Sequence, residues 1–204
     1  VMAEGLAGHP EVGDAVALLF GALGDSSIEK AISEALANSR QLRDVLADPA
    51  HAKTNLADLL DVPENLSRAA VEAEVLGGGR FGRAEAEAVL DLGDAAGKRV
   101  VNGLSAIDWA APTADMFFEA FLKKDGLVPA NFPVKGFASA YPDLTALLTD
   151  EAARLEYLYD RRKAADILSI SAALVIVLKA IDTRYNAAKL ARNRLDFDDL
   201  ITRL

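Results

Sequence analysis

The fold is decided by residues 142–193, PDLTALLTDEAARLEYLYDRRKAADILSISAALVIVLKAIDTRYNAAKLARN. After its first residue this stretch contains no proline and no glycine, and its apolar side chains recur at helical spacing. Inside a helix, glycine costs about 1 kcal/mol and proline about 3 kcal/mol relative to alanine, so their absence favours one long helix. Because long helices are rarely straight, we expect a bend near residues 160–164.

The remainder of the chain also favours helices. It is rich in alanine, the best helix former, and only 6% of the residues are aromatic. Periodicity and helix-terminating residues predict helices over residues 11–23, 26–48, 54–60, 63–76, 83–92, 95–110 and 113–126, followed by an irregular stretch over 127–140. The predicted fold class is therefore all-α: an irregular multi-helix bundle with one very long C-terminal helix.

Composition narrows the possible functions. The chain has no cysteine, which excludes a thiolate nucleophile and a disulfide framework and is typical of a cytoplasmic protein. Its net charge of -9 means that nucleic acid would have to contact a local basic patch. The most apolar run, residues 167–178, is shorter than the roughly 20 residues needed to cross a bilayer, so we expect a core helix and no membrane.

Two glycine patterns imitate nucleotide-binding motifs. Residues 77–82, GGGRFG, match GxGxxG, but a predicted helix precedes them where the dinucleotide fingerprint requires a strand. Residues 93–99, GDAAGKR, lack one spacer and the hydroxyl residue of a phosphate loop. His9 and His51 stand apart without other zinc ligands nearby. We therefore predict no catalytic residue, no metal site and no cofactor in this chain.

Basic side chains in the long helix are open to two interpretations. Arg161, Arg162 and Lys163 follow one another, and a second set lies towards the end of the helix. Charge runs of this kind are usually the solvated face of a helix, paired here with nearby aspartates. Alternatively, they line an edge that faces nucleic-acid phosphates.

The final segment carries a family resemblance. Residues 185–201, YNAAKLARNRLDFDDLI, combine a basic helix with a Leu-Asp-Phe-Asp-Asp-Leu turn. This combination resembles the segment that precedes the Walker B strand in UvrD/RecB-type superfamily 1 DNA helicases. Upstream, residues 117–126 (FFEAFLKKDG), 141–144 (YPDL) and 151–155 (EAARL) are similar to the AddA subunit of alphaproteobacterial AddAB helicase–nucleases.

The resemblance implies a domain organisation. Residues 1–195 would be the helical accessory (1B-like) domain, and residues 196–204 the truncated start of the return into the motor (1A) domain. The joint between them would be the motif Leu195, Asp196, Phe197, Asp198, Asp199 and Leu200. Since the last helical pattern is too short to be stable alone, we expect the natural chain to continue.

The resemblance also implies a function. We expect an accessory domain of an ATP-dependent DNA helicase/nuclease subunit in double-strand break repair and recombination, which holds or guides DNA next to the motor. ATP and Mg would bind elsewhere in the parent protein, which would pair with an AddB-like subunit. The candidate DNA contacts are Lys123, Lys124, Lys135, Arg161, Arg162 and Lys163. The alternative is a freestanding helical protein-interaction or scaffold domain.

Overall fold

The structure, a computed structural model, describes residues 10–38 and 42–192. These ranges contain ten α-helices and one 3₁₀ helix and no strand, which confirms the predicted all-α class. The α-helices are α1 (Pro10–Leu23), α2 (Asp25–Ala37), α3 (Arg43–Ala47), α4 (Pro49–Leu59), α5 (Arg68–Gly77), α6 (Arg83–Asp91), α7 (Lys98–Ser105), α8 (Ala114–Phe121), α9 (Lys135–Ala140) and α10 (Pro142–Ala191). The 3₁₀ helix (Gly93–Ala96) lies between α6 and α7.

The predicted long helix is present as α10, which has 50 residues. Proline suits its first position because it donates no backbone hydrogen bond and already has a helical φ angle. Residues 160–164 are helical without interruption. The bend that the sequence led us to expect there stays a prediction.

Several of the predicted helix boundaries are wrong. The helix predicted over residues 54–60 begins at Pro49, because Asp48 caps it, and the helix predicted to reach residue 126 ends at Phe121, because Leu122 is extended. The helix predicted to open at Pro63 begins only at Arg68, because Ser67 caps it: the Ser67 hydroxyl accepts a hydrogen bond from the Ala70 amide at 3.2 Å. The helix predicted over residues 26–48 is divided into α2 and α3. At the end of α2 the Asn38 side chain hydrogen-bonds the backbone, as asparagine does where helices stop.

Short elements account for two further differences. The helix predicted over residues 95–110 is replaced by the 3₁₀ helix and α7, because Gly97 between them adopts a φ of 92°, which side chains rarely tolerate. The stretch predicted to be irregular contains α9, a helix of only 6 residues. A helix that short leaves no periodic pattern to detect.

The described residues divide into two compact units, the first within residues 1–64 and 167–204 and the second within residues 65–166. In the first unit, α1, α2 and the later part of α10 share a small core. Its buried members are Ala15, Leu19, Ile28, Ala173 and Val177. The pairs 15/19 and 173/177 are four residues apart, so each lies on one face of its helix.

By length and composition, α10 resembles a membrane-spanning helix. Among the described residues, α10 alone is long and apolar enough to cross a bilayer, with a mean hydropathy of 2.1 in its most apolar 18-residue window. A third of that window is buried (33%), and a core helix of a soluble protein passes the same test. The expectations of a cytoplasmic location and of no membrane contact stay predictions.

The second unit has a larger core, to which α5–α9 and the first part of α10 contribute. Helix α8 lies at its centre, with Phe117, Phe118 and Phe121 all buried. Helix α7 approaches α8 so closely that a Cβ atom added to Gly103 would lie 2.7 Å from the Ala120 Cα. This packing fixes α8, and with it the residues that follow its C-terminal end.

A buried ion pair fills the space beside the glycine run after α5. Arg154 of α10 donates to both Glu151 carboxylate oxygens, at 2.6 and 2.9 Å, and to the carbonyls of Glu74 and Val75, each at 3.0 Å. A Cβ atom on Gly79 would lie 2.9 Å from atoms of both Arg154 and Glu151. The pattern that imitates a dinucleotide motif thus has a packing role.

Candidate nucleic-acid interface

Four of the six candidate DNA contacts come together in the second unit. Lys123 and Lys124 follow α8, and Arg162 and Lys163 lie on α10, where all four surround the aromatic pair Phe118 and Tyr159. Beside this pair lies a cleft of about 740 Å³, within the usual size range of ligand pockets. Its lining residues are Arg99, Asp115, Phe118, Glu119, Leu122, Lys123, Lys124, Tyr159 and Arg162. We call this group, with Lys163 at its edge, the basic cleft.

A tight turn presents the two lysines. The Lys123 amide donates to the Leu127 carbonyl and the Gly126 amide donates to the Lys123 carbonyl, each at 2.9 Å. The Asp125 carboxylate accepts from the Leu127 amide and from the Lys123 ammonium, both at 3.1 Å. The hydrogen bond from Leu127, followed by that from Lys123, lowers the pKa of Asp125 below its usual value.

Three contacts attach this turn to α10. The Val128 amide donates to Glu156 at 3.1 Å, the Tyr159 hydroxyl donates to the Lys124 carbonyl at 3.3 Å, and the Lys163 ammonium donates to the Asp125 carbonyl at 3.4 Å. The turn is therefore held at a fixed position relative to the basic residues of α10.

Glycine is required at position 126 of this turn. Its φ is 88°, and its Cα faces the Tyr159 ring with no room for a Cβ atom. This close approach places the turn backbone directly against the Tyr159 ring, which also contacts Arg162 and Lys163.

Aromatic rings position the cations of α10. The Arg162 guanidinium lies 4.5 Å from the centre of the Phe118 ring and 5.4 Å from that of Tyr159, and the Lys163 ammonium lies 4.4 Å from the Tyr159 centre. These distances are those of cation–π contacts. Arg162 also forms an ion pair with Asp115, and its side chain is only 13% exposed. Its orientation is therefore strongly restrained.

The charge of the basic cleft is nearly balanced. Around it are five cations, and Asp115, Glu119, Asp125 and Asp160 supply four carboxylates. Within the described part of the chain, neither Lys124 nor Arg99 has an ion-pair partner, although Arg99 donates to the Leu122 carbonyl at the end of α8. An anion entering the cleft would meet Lys124 without displacing a carboxylate.

The other two candidates lie elsewhere. Arg161 pairs with Glu74 at 3.1 Å and lies over the Tyr157 ring, with its side chain 21% exposed. Lys135 is an exposed residue at the start of α9 and does not line the cleft. The proposed joint formed by residues 195–200 lies outside the described residues.

Several residues of the cleft were not predicted from the sequence. Tyr159 could have been found, because it lies three and four residues before Arg162 and Lys163 and so shares their face of the helix. Arg99 belongs to the rejected phosphate-loop pattern, and nothing in its local sequence connects it to Leu122. Asp115 and Glu119 have the spacing of an ordinary exposed helix face.

Comparisons with protein-family models, curated proteins and solved structures find no match to this chain. The described residues include no group of three or more histidine, cysteine, aspartate or glutamate side chains placed to hold a metal ion. The described residues therefore form an all-α structure with a cleft in which five basic side chains and four carboxylates are gathered.

Proposed function

We propose that this chain is an accessory helical domain of an ATP-dependent DNA helicase/nuclease subunit in double-strand break repair and recombination. In this role it holds or guides DNA beside the motor and catalyses no reaction itself. The resemblance of residues 185–201 to superfamily 1 helicases motivates the proposal. The observation that carries it is the convergence of Lys123, Lys124, Arg162 and Lys163 on one cleft in a chain of net charge -9.

The geometry suits phosphate groups. Lysine and arginine side chains contact phosphate oxygens without regard to base sequence, and such contacts fix the position of the nucleic acid. The Phe118 and Tyr159 rings and the tight turn already restrain the basic side chains, so less conformational entropy is lost when DNA binds. Arg161 and Lys135 do not line the cleft, whereas Arg99 does. The proposed contact set is therefore Lys123, Lys124, Arg162, Lys163 and Arg99.

Fluorescence anisotropy of the full chain with labelled forked DNA, measured over a series of salt concentrations, tests this proposal. We expect dissociation constants on the order of 10⁻⁴ to 10⁻⁶ M near physiological salt, and an affinity that falls steeply as salt increases. Replacing a lysine that contacts a phosphate removes about one released counterion. The Lys124→Gln variant should therefore lower the slope of log K against log salt by about 0.7–0.9.

Lys30→Gln is the matched control, because it makes the same charge change at an exposed lysine of α2 that pairs only with Glu34 within the described residues. It should leave the slope unchanged. Equal slopes for Lys124→Gln and Lys30→Gln would contradict the proposed site. Absence of DNA binding at low salt would overturn the function and favour the protein-interaction alternative. ATP hydrolysis by the isolated chain would equally contradict the accessory role.

A further inference from the structure

The basic cleft also contains an available carboxylate. Asp115 and Glu119 lie one turn apart on α8, and both line the cleft. Asp115 is paired with Arg162, whereas Glu119 is exposed and has no ion-pair partner within the described ranges. Lys124 is likewise exposed and has no ion-pair partner within the described ranges. One cavity therefore offers a carboxylate and an ammonium that are both accessible to a ligand.

A nucleotide carries the two groups that complement this pair. Its phosphate is an anion for Lys124, and the exocyclic amino group of cytosine or adenine is a hydrogen-bond donor for a carboxylate. In a duplex these amino groups face the partner base and the grooves, while the phosphates lie on the outside. A side chain that projects into the major groove can reach the amino group of a paired base, but Glu119 and Lys124 line a cleft. The base must therefore leave its partner and its stacked neighbours to enter the cleft and meet both groups.

We propose that the basic cleft receives one unstacked nucleotide of a single strand, with its phosphate at Lys123 and Lys124 and the amino group of its base at Glu119. This inference rests on the proposed DNA-binding function and specifies its ligand. Because thymine has a carbonyl where cytosine has the amino group, Glu119 repels thymine there and favours cytosine.

Stacking on the aromatic pair does not contribute to this recognition. Phe118 is only 4% exposed, and the Tyr159 ring is contacted by Gly126, Arg162 and Lys163. Sites that bind single strands by stacking accept every base, since every base has a π face. A site that uses Glu119 instead distinguishes two pyrimidines that differ mainly in their hydrogen-bonding edge.

Competition binding of oligo(dC) and oligo(dT) of equal length to the full chain, at low salt and near-neutral pH, tests the inference. A hydrogen bond to a charged group strengthens binding by about ten- to a hundredfold, and a cleft that water enters should retain part of this effect. We therefore expect oligo(dC) to bind about five- to ten-fold more tightly than oligo(dT). Glu119→Gln should reduce the ratio below about twofold, because a neutral amide both donates and accepts.

Glu29→Gln is the matched control, since it removes the same charge from an exposed position on α2 and should keep the ratio of the parent chain. Equal binding of the two strands, with both weakened by Lys124→Gln, would overturn the inference while leaving the proposed DNA-binding function intact. A preference for oligo(dC) that persists in Glu119→Gln would also overturn it. Failure of both strands and of forked DNA to bind would instead refute the proposed function.

Discussion

Replacing Arg154 with alanine should be among the most destabilising single changes in the second unit. The substitution leaves the Glu151 carboxylate, whose side chain is 2% exposed, without its two hydrogen bonds of 2.6 and 2.9 Å. Breaking a buried ion pair by removing one partner costs about 3–5 kcal/mol. Since the Arg154 side chain is 22% exposed and water reaches it, we expect a loss near the lower value, about 3 kcal/mol.

Urea unfolding followed by far-ultraviolet circular dichroism measures this loss. With a denaturant dependence of about 2 kcal/mol per molar, the midpoint should fall by about 1.5 M. The control is Arg83→Ala, which removes a comparably short ion pair to Glu87 at 2.7 Å, but with both side chains more than half exposed. It should cost less than about 1 kcal/mol.

A double variant separates the burial of charge from the loss of packing. Glu151→Leu combined with Arg154→Met replaces the pair with apolar side chains and should recover much of the stability lost in Arg154→Ala. Indistinguishable midpoints for Arg154→Ala and Arg83→Ala would refute the argument, because burial of Glu151 would then carry no energetic consequence.

Two further substitutions test the packing and the turn. Gly103→Ala places a Cβ atom 2.7 Å from the Ala120 backbone, so α7 and α8 must separate, and thermal unfolding should show a loss of about 1–3 kcal/mol. Gly77→Ala, where nothing lies within 4 Å, is the control, and equal behaviour of the two variants would contradict the close approach. For Asp125→Asn, the lowered pKa of Asp125 means that its stabilisation is present above the ordinary value of 3.8 and is lost as pH falls through the lower folded-state value. The variant should therefore melt below the parent at neutral pH and match it in strong acid, and a difference that does not change with pH would count against this role.

The long helix was the most predictable element. Its sequence carries a strong local signal, since residues 143–191 contain no proline or glycine. The short helix α9 was not predicted, because 6 residues do not establish a period. The 5 residues of α3 were predicted to be helical, but as the end of the preceding helix and not as a separate one. Pro63 misled the boundary prediction because proline permits a helix to start but does not require one, whereas the Ser67 cap starts α5.

The basic cleft could be predicted only in part. Arg161 and Arg162 are neighbours in sequence, yet successive helical residues point about 100° apart, so one pairs with Glu74 and the other lies over Phe118. Which residues each of the two arginines contacts is decided by tertiary packing, which the local sequence does not show. The contact of Lys163 with Asp125 likewise joins residues 38 apart, a distance in sequence that no local pattern bridges.

The packing of Arg154 and Glu151 against Gly79 has a consequence for variation among related sequences. A side chain at position 79 and the ion pair at positions 151 and 154 compete for one volume. Homologues that keep the ion pair should keep glycine at position 79. Homologues that have lost either charged residue can have alanine or serine there. Correlated change at positions 79, 151 and 154 would therefore show that the ion pair leaves no room for a side chain at position 79. Glycine would be conserved there for packing and not for nucleotide binding.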